Sequence, residues 1–115
     1  TACASSISQR AALEALTGPQ DSVKMMVGEF EKRKNLIVSR LNEMGHECPD
    51  CGGAFYVFPK VERPHDFVKA AADAGVIAVL GEAFGSLGKD NVRMSYATSY
   101  ENIEKAMDIL DGLEY

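Results

Sequence analysis

The stretch Asn91-Val92-Arg93-Met94-Ser95-Tyr96-Ala97 decides the fold, because its apolar and polar side chains alternate. Alternation with a period of two is typical of a β-strand that turns one face towards a core. The pattern places Val92, Met94 and Tyr96 on one face of the strand, and it places Arg93 and Ser95 on the other. The neighbouring apolar residues further indicate that this strand is central in its sheet.

Arg93 is the main candidate for a binding residue. A guanidinium on a covered face of a sheet must be desolvated, which is costly unless an anion meets it. Its planar set of N–H donors matches a carboxylate through two parallel hydrogen bonds. The sequence therefore predicts a carboxylate-binding arginine, with a structural salt bridge to a glutamate or simple solvent exposure as the alternatives.

Two more strands and four helices are predicted around this stretch. Residues 54–59 (Ala-Phe-Tyr-Val-Phe-Pro) predict a strand that is buried on both faces and ends at Pro59, and Val76–Leu80 predicts another strand. Apolar residues at three- and four-residue spacing predict helices over Ser5–Leu16, Pro19–Met44, His65–Ala74 and a last segment that a capping box, Thr98-Ser99-Tyr100-Glu101, opens. The order α-α-β-α-β-β-α predicts an α/β (α+β-like) fold. We expect a small, mostly antiparallel sheet of three to four strands covered by helices, since no helix separates the last two strands.

The composition limits the classes of partner. The chain has 115 residues, enough for one domain, and a formal net charge of −5 with a pI near 5.0. A nucleic-acid-binding protein normally carries a basic patch, and no stretch here gathers the twelve Lys and Arg residues. No apolar run is long enough to cross a membrane and no signal peptide is apparent, so we expect a soluble, cytoplasmic protein. The sequence begins with Thr1 and a helical pattern follows at once. We therefore expect this chain to be a piece of a longer protein.

Two short motifs could carry other chemistry. Cys48-Pro49-Asp50-Cys51 is a C-x-x-C. A zinc site needs four ligands, and the sequence has no second C-x-x-C to complete one. A redox pair prefers the N-terminus of a helix, whereas this motif precedes a predicted strand. Ser86 and Lys89 form a Ser-x-x-Lys pair in a glycine-rich loop that lacks the other motifs of the acyl enzymes known for this spacing. We interpret the first as a turn and the second as a chance spacing, and we predict no metal site.

Four segments together resemble one enzyme family. These are 6–20 (Ser-Ile-Ser-Gln through Leu-Thr-Gly-Pro-Gln), 53–59 (Gly-Ala-Phe-Tyr-Val-Phe-Pro), 83–85 (Ala-Phe-Gly) and 92–97 (Val-Arg-Met-Ser-Tyr-Ala). In this order and spacing they are similar to the C-terminal part of the class I/II, pyridoxal-phosphate-dependent aminotransferases. The last segment is followed by a helix of the Ser-x-Glu-x-Ile-x-x-Ala type, which is also typical of that family.

The resemblance implies a function and a set of partners. It implies the aspartate aminotransferase-like fold type I, a homodimer, pyridoxal phosphate as cofactor, and an amino acid and a 2-oxo acid as substrates. It implies that Arg93 binds the substrate α-carboxylate and that Gly53 and Phe55 help to shape the pocket near its entrance. Residues 1–115 would be the small C-terminal domain, with 1–18 as the helix that links it to a missing N-terminal large domain.

Two departures from the family pattern qualify this implication. Leu80 stands where the family usually has proline. None of the seven lysines lies in the motif of the cofactor-binding lysine, so we expect this segment alone to contribute no catalytic residue, to hold no cofactor firmly and to be inactive. The alternatives are a stand-alone, non-catalytic α/β module that binds a small carboxylate or a protein and, after it, a C-x-x-C metal module.

Overall fold

A computed structural model describes residues 3–115 and confirms the predicted order of elements. The helices are α1 (Ser6–Thr17), α2 (Asp21–Glu43), α3 (Pro64–Asp73) and α4 (Tyr100–Asp111). The strands are β1 (Tyr56–Val57), β2 (Val79–Leu80) and β3 (Val92–Ser95). Two short 3-10 turns, Gly81–Phe84 and Ser86–Gly88, form what we call the 81–88 loop between β2 and β3.

The three strands form one antiparallel sheet with the order β1-β3-β2. Val57 pairs with Met94 on one side of β3, and Val79 pairs with Arg93 on the other. The strand that carries Arg93 is therefore central, as its sequence predicts, and the fold class is the predicted α/β arrangement with a small antiparallel sheet.

One face of the sheet lies against the core. Val92, Met94 and Tyr96 of the central stretch are buried, and Arg93 and Ser95 are not, which confirms the alternation. The core combines this face with buried side chains from three helices, which are Ile37, Leu41, Phe67, Ala71, Ile103, Met107 and Leu110. Burial of these apolar side chains is the main favourable term for folding.

The prediction that residues 54–58 form a strand buried on both faces is wrong. Val57 is fully buried, but Phe55 and Tyr56 are 40% and 36% exposed. Tyr56 lies on the face of the sheet opposite the core, and Phe55 precedes the two residues of β1. The strand is also short. Ala54 has a positive φ of 62°, which is not an extended conformation, and Pro59 has no N–H to donate to a ladder.

Two other element boundaries differ from the predictions. The strand expected over 76–80 shrinks to Val79–Leu80, because the N–H of Val76 donates to the Ala71 carbonyl and closes the end of α3. At α4 the N-cap is Ser99, whose side chain accepts a hydrogen bond from the N–H of Asn102. The predicted capping box, with Thr98 as the cap and Glu101 as its partner, is displaced by one residue.

Helix α1 and the first part of α2 project from this core. No residue of α1 is buried, and Ile7 and Leu16 are 82% and 83% exposed. The radius of gyration is 17.9 Å, whereas a compact domain of this length has about 13 Å. An apolar helix exposed in this way is typical of a surface that another part of a protein covers.

Candidate functional site

The Arg93 guanidinium lies between two aromatic rings on the open face of the sheet. Its central carbon is 4.4 Å from the centroid of the Tyr56 ring and 4.3 Å from that of the Phe84 ring. Both distances are within the range of favourable cation–π contacts. Arginine makes such stacked contacts more often than lysine does. The side chain of Arg93 is half-buried, so that these rings shield part of it while the rest meets solvent.

Strand register brings Tyr56 to this place. Tyr56 pairs directly with Ser95, which lies on the same face of β3 as Arg93. Tyr56 is thus the diagonal neighbour of Arg93 across the β1–β3 pair, a separation that an aromatic ring and a long side chain can bridge.

The 81–88 loop brings Phe84 to the other side of the guanidinium. The loop folds back so tightly at Gly81 and Gly88 that a Cβ at Gly81 would collide with the Gly88 carbonyl oxygen and lie 2.7 Å from that of Asn91. The same Cβ would lie 2.8 Å from the Phe58 ring. Gly85 has a φ of 133°, which side chains rarely adopt, and it turns the chain directly after Phe84.

No acidic side chain neutralises Arg93 within residues 3–115. No hydrogen bond or salt bridge joins its guanidinium to any described residue. Three other arginines do have acidic partners, namely Arg33 with Glu29, Arg40 with Asp108 and Arg63 with Asp66. The alternative of an internal salt bridge to a glutamate is therefore wrong for the described chain. The other alternative, simple solvent exposure, does not describe a half-buried side chain that contacts two rings.

The two other predicted site residues lie at different distances from Arg93. Phe55 contacts the Tyr56 ring, with 4.5 Å between centroids, and is thus one ring away from the guanidinium. Gly53 lines a separate hollow of about 420 Å³ beside Phe30, Lys34 and Tyr96. Phe55 therefore adjoins the group formed by Arg93, Tyr56 and Phe84, whereas no contact in the described structure brings Gly53 to that group.

Tyr56 and Phe84 were missed as site residues by the sequence analysis. Both occur in the segments that resemble the family, but neither has a role there. The only signal was their aromatic character, because their contact with Arg93 depends on a strand register and a loop path that no local pattern specifies.

The C-x-x-C does not have the environment of a reactive pair. Burial raises the pKa of the Cys48 thiol to about 11, and burial also raises the pKa of Cys51. Reactive or metal-binding cysteines need a lowered pKa instead. Among residues 3–115 no three His, Cys, Asp or Glu side chains are grouped as metal ligands. Asn42 bonds both the N–H and the carbonyl of Cys48 at 3.1 Å, which is the structure of an anchored turn.

Comparison with known proteins identifies the family. Residues 1–110 match the sequence profile described as "Aminotransferase class I and II". The chain belongs to this family. It is 44% identical over 113 residues to a probable aspartate aminotransferase of Methanocaldococcus jannaschii, covering 95% of this chain and 30% of that protein. It is 40% identical to aromatic-amino-acid aminotransferase 2 of Thermococcus litoralis, with the same two coverages.

Solved aminotransferase structures share the fold. The structure of an alanine aminotransferase from Pyrococcus furiosus superimposes with a TM-score of 0.86 at 34% identity, covering 95% of this chain and 30% of that one. The chain thus spans about 30% of the length of the aminotransferases that it matches. None of its described helices is long and apolar enough to cross a membrane.

The described part of this aminotransferase segment does not fit the cofactor by itself. A lysine that forms a covalent bond to pyridoxal phosphate must lose its proton readily, which burial promotes. No charged side chain is buried within residues 3–115. Lys34 has the opposite environment, because its bond of 2.9 Å to the Asp50 carboxylate raises the pKa of its ammonium group.

Proposed function

We propose that these 115 residues are the C-terminal small domain of a pyridoxal-phosphate-dependent aminotransferase. The complete enzyme would transfer an amino group between an amino acid and a 2-oxo acid. Within it, Arg93 binds the α-carboxylate of the substrate, and residues 1–18 link this domain to the large domain that holds the cofactor. The enzyme would be a homodimer, as the family resemblance implies, and we expect it to be cytoplasmic.

The unpaired, half-buried guanidinium of Arg93 is the observation that carries this proposal. A cation in such a place is stabilised when an anion replaces the water that it loses. A carboxylate fits the guanidinium better than other small anions, because its two oxygens match the spacing of two parallel N–H donors. Arg93 therefore provides the geometry of a carboxylate site without a protein carboxylate that would compete with the ligand.

The related proteins are consistent with a role in binding a group that all substrates share. Their names refer to aspartate, aromatic amino acids and alanine. These amino acids differ in their side chains and have the α-carboxylate and the α-amino group in common. We therefore assign Arg93 to the common carboxylate and assign no side-chain preference to this segment.

The contribution of Arg93 to the reaction is to bind and orient. A substrate held at its carboxylate by two hydrogen bonds has a restricted orientation, which accelerates the chemical step. The same contact would draw the small domain towards the substrate, so that binding and closure of the site are coupled. Exposed α1 and the first part of α2 provide the apolar surface on which the large domain would pack.

The Arg93→Ala substitution tests the proposal in the complete enzyme. We expect kcat/KM for the amino acid to fall on the order of 100-fold, which corresponds to a lost charge-assisted pair of about 3 kcal/mol. Arg63→Ala is the matched control, since Arg63 is an exposed arginine that pairs with Asp66. Steady-state kinetics of Arg93→Ala close to those of the wild type would contradict the assignment.

A further inference from the structure

The contacts around Arg93 form a continuous chain of five planar groups, tilted or edge-on where two rings meet. The Phe55 ring contacts Tyr56, Tyr56 contacts the guanidinium, the guanidinium contacts Phe84, and Phe84 contacts the Phe58 ring at 6.3 Å in an edge-on arrangement. Three of these rings come from the 55–58 segment around β1, and one comes from the 81–88 loop. The guanidinium is thus held between two parts of the chain that are distant in sequence.

We propose that Tyr56 and Phe84 are positioning residues that fix the plane of the Arg93 guanidinium, so that only its in-plane N–H edge remains open to a ligand. This inference deepens the proposed function and rests on it. It adds that the two aromatic rings contribute to the recognition of the carboxylate without contacting it.

The chemical reason is that aromatic rings orient a guanidinium without using its hydrogen-bond donors. The five N–H groups of arginine lie in one plane, and a ring that stacks on the guanidinium occupies a face of that plane. The distances of 4.4 and 4.3 Å from the central carbon to the two ring centroids are short enough for such stacking. An aspartate or glutamate would orient the side chain equally well, but it would occupy the donors and neutralise the charge. Orientation by Tyr56 and Phe84 therefore leaves both the positive charge and the donor edge of Arg93 available to the substrate.

Each ring of this pair is itself supported. Phe55 backs Tyr56 at 4.5 Å between centroids, and Tyr56 also lies in the paired part of β1. Phe84 contacts Phe58, and Phe58 lies against the tight approach of Gly81 and Gly88. The support reduces the freedom of both rings, and a preorganised site loses less entropy when the ligand binds.

The main test compares two substrates of the complete enzyme, an amino acid and the corresponding primary amine that lacks the α-carboxylate. The variants are Tyr56→Leu and Phe84→Leu, which remove the ring faces, and Tyr56→Phe and Phe84→Tyr, which keep them. Tyr100→Leu is the matched control, because Tyr100 at the start of α4 is exposed to a similar degree as Tyr56 (37% against 36%).

We expect both leucine variants to lower kcat/KM for the amino acid about tenfold, the magnitude of one strong cation–π contact, and to leave that for the amine within about twofold. The aromatic replacements should restore most of the amino-acid activity, and Tyr100→Leu should leave the ratio of the two substrates unchanged. A leucine variant with an unchanged ratio, or with equal losses on both substrates, would overturn the inference.

A second measurement needs no variant and therefore no assumption about folding. A carboxylic acid inhibitor and a phosphonic acid of the same carbon skeleton are compared on the wild-type enzyme. An N–H edge of Arg93 that is fixed in orientation selects the planar carboxylate over the tetrahedral phosphonate. The inhibition constant of the carboxylic acid should therefore be at least about tenfold lower than that of the phosphonic acid, although the phosphonate carries more charge. Equal or tighter inhibition by the tetrahedral phosphonate would overturn the inference.

The Arg93→Ala variant separates this inference from the proposed function. If Arg93→Ala removes the preference for the amino acid over the amine and the leucine variants do not, only the positioning role fails. If Arg93→Ala leaves that preference intact, the assignment of Arg93 fails, and the positioning role fails with it.

Discussion

The two faces of the small sheet differ in what covers them. On the closed face, Val57, Val92 and Met94 are buried against helices of the same chain. On the open face, Tyr56, Arg93 and Ser95 remain partly or fully exposed, and the charge of Arg93 has no acidic partner within residues 3–115. The closed face thus stabilises the fold, and the open face carries the proposed carboxylate site. A substitution should therefore act on stability or on binding according to its face.

Met94→Ala should have the largest effect on stability. It removes a buried side chain from the closed face and leaves a cavity beside Ile103 and Met107, so we expect the free energy of unfolding to fall by about 3 kcal/mol. Ser95→Ala is the matched control, because Ser95 is the next residue of the strand and lies on the open face. It should change the free energy of unfolding by less than about 0.5 kcal/mol. Urea denaturation of this chain measures both. Equal losses for the two variants would contradict the difference between the faces.

The reactivity of Cys48 should show how well the core is closed. Its pKa of about 11, raised by burial from an ordinary 9.0, leaves on the order of 100-fold less thiolate at neutral pH than an ordinary thiol has. Alkylation of Cys48 should therefore be slower than that of the exposed Cys3, and it should accelerate as the pH rises towards 11. Peptide mass spectrometry after timed iodoacetamide treatment gives both rates. Equal rates in the folded chain would show that the core is open there.

The sign of the pH effect on stability follows from the same shift. Because the pKa of Cys48 is higher in the folded state than in the unfolded state, the unfolded chain loses this proton first as the pH rises. The contribution of the buried thiol to the free energy of unfolding is therefore fully present below about pH 9, and it is lost between about pH 9 and 11.

Gly81→Ala should have a smaller effect that acts on the open face. The new methyl group would collide with the Gly88 carbonyl oxygen and the Phe58 ring, so the 81–88 loop must shift, and we expect a loss of about 2 kcal/mol. The control is Gly28→Ala in α2, where nothing lies within 4 Å and alanine should stabilise the helix by about 0.5–1 kcal/mol. Thermal denaturation compares the two. A neutral Gly81→Ala would mean that the loop does not depend on this close approach.

The sequence predicted the helices well because their signals are local. The three- and four-residue spacing of apolar residues located all four, and Gly18, Gly45 and Gly75 marked where three of them end. The strands were predicted too long. A strand needs hydrogen-bond partners along its length, and the positive φ of Ala54 and the bond from Val76 to Ala71 remove those partners near the strand ends.

The candidate site was predictable only in part. Alternation placed Arg93 on its face correctly, because the side-chain period of a strand is a local property. The surroundings of Arg93 depend on the pairing of Tyr56 with Ser95 and on the path of the 81–88 loop, which are long-range properties. The sequence therefore indicated a guanidinium that needs an anion, and the structure adds the two rings that contact it.

Isothermal titration of the complete enzyme with a non-reacting carboxylate inhibitor tests the role of Arg93 most directly, since it measures binding without the chemical step. The wild type should bind this inhibitor about 100-fold more tightly than Arg93→Ala, and the amide of the same compound should bind both proteins with similar Kd values. Equal affinity of the wild type and Arg93→Ala for the carboxylate would show that another group receives it, and it would contradict the account.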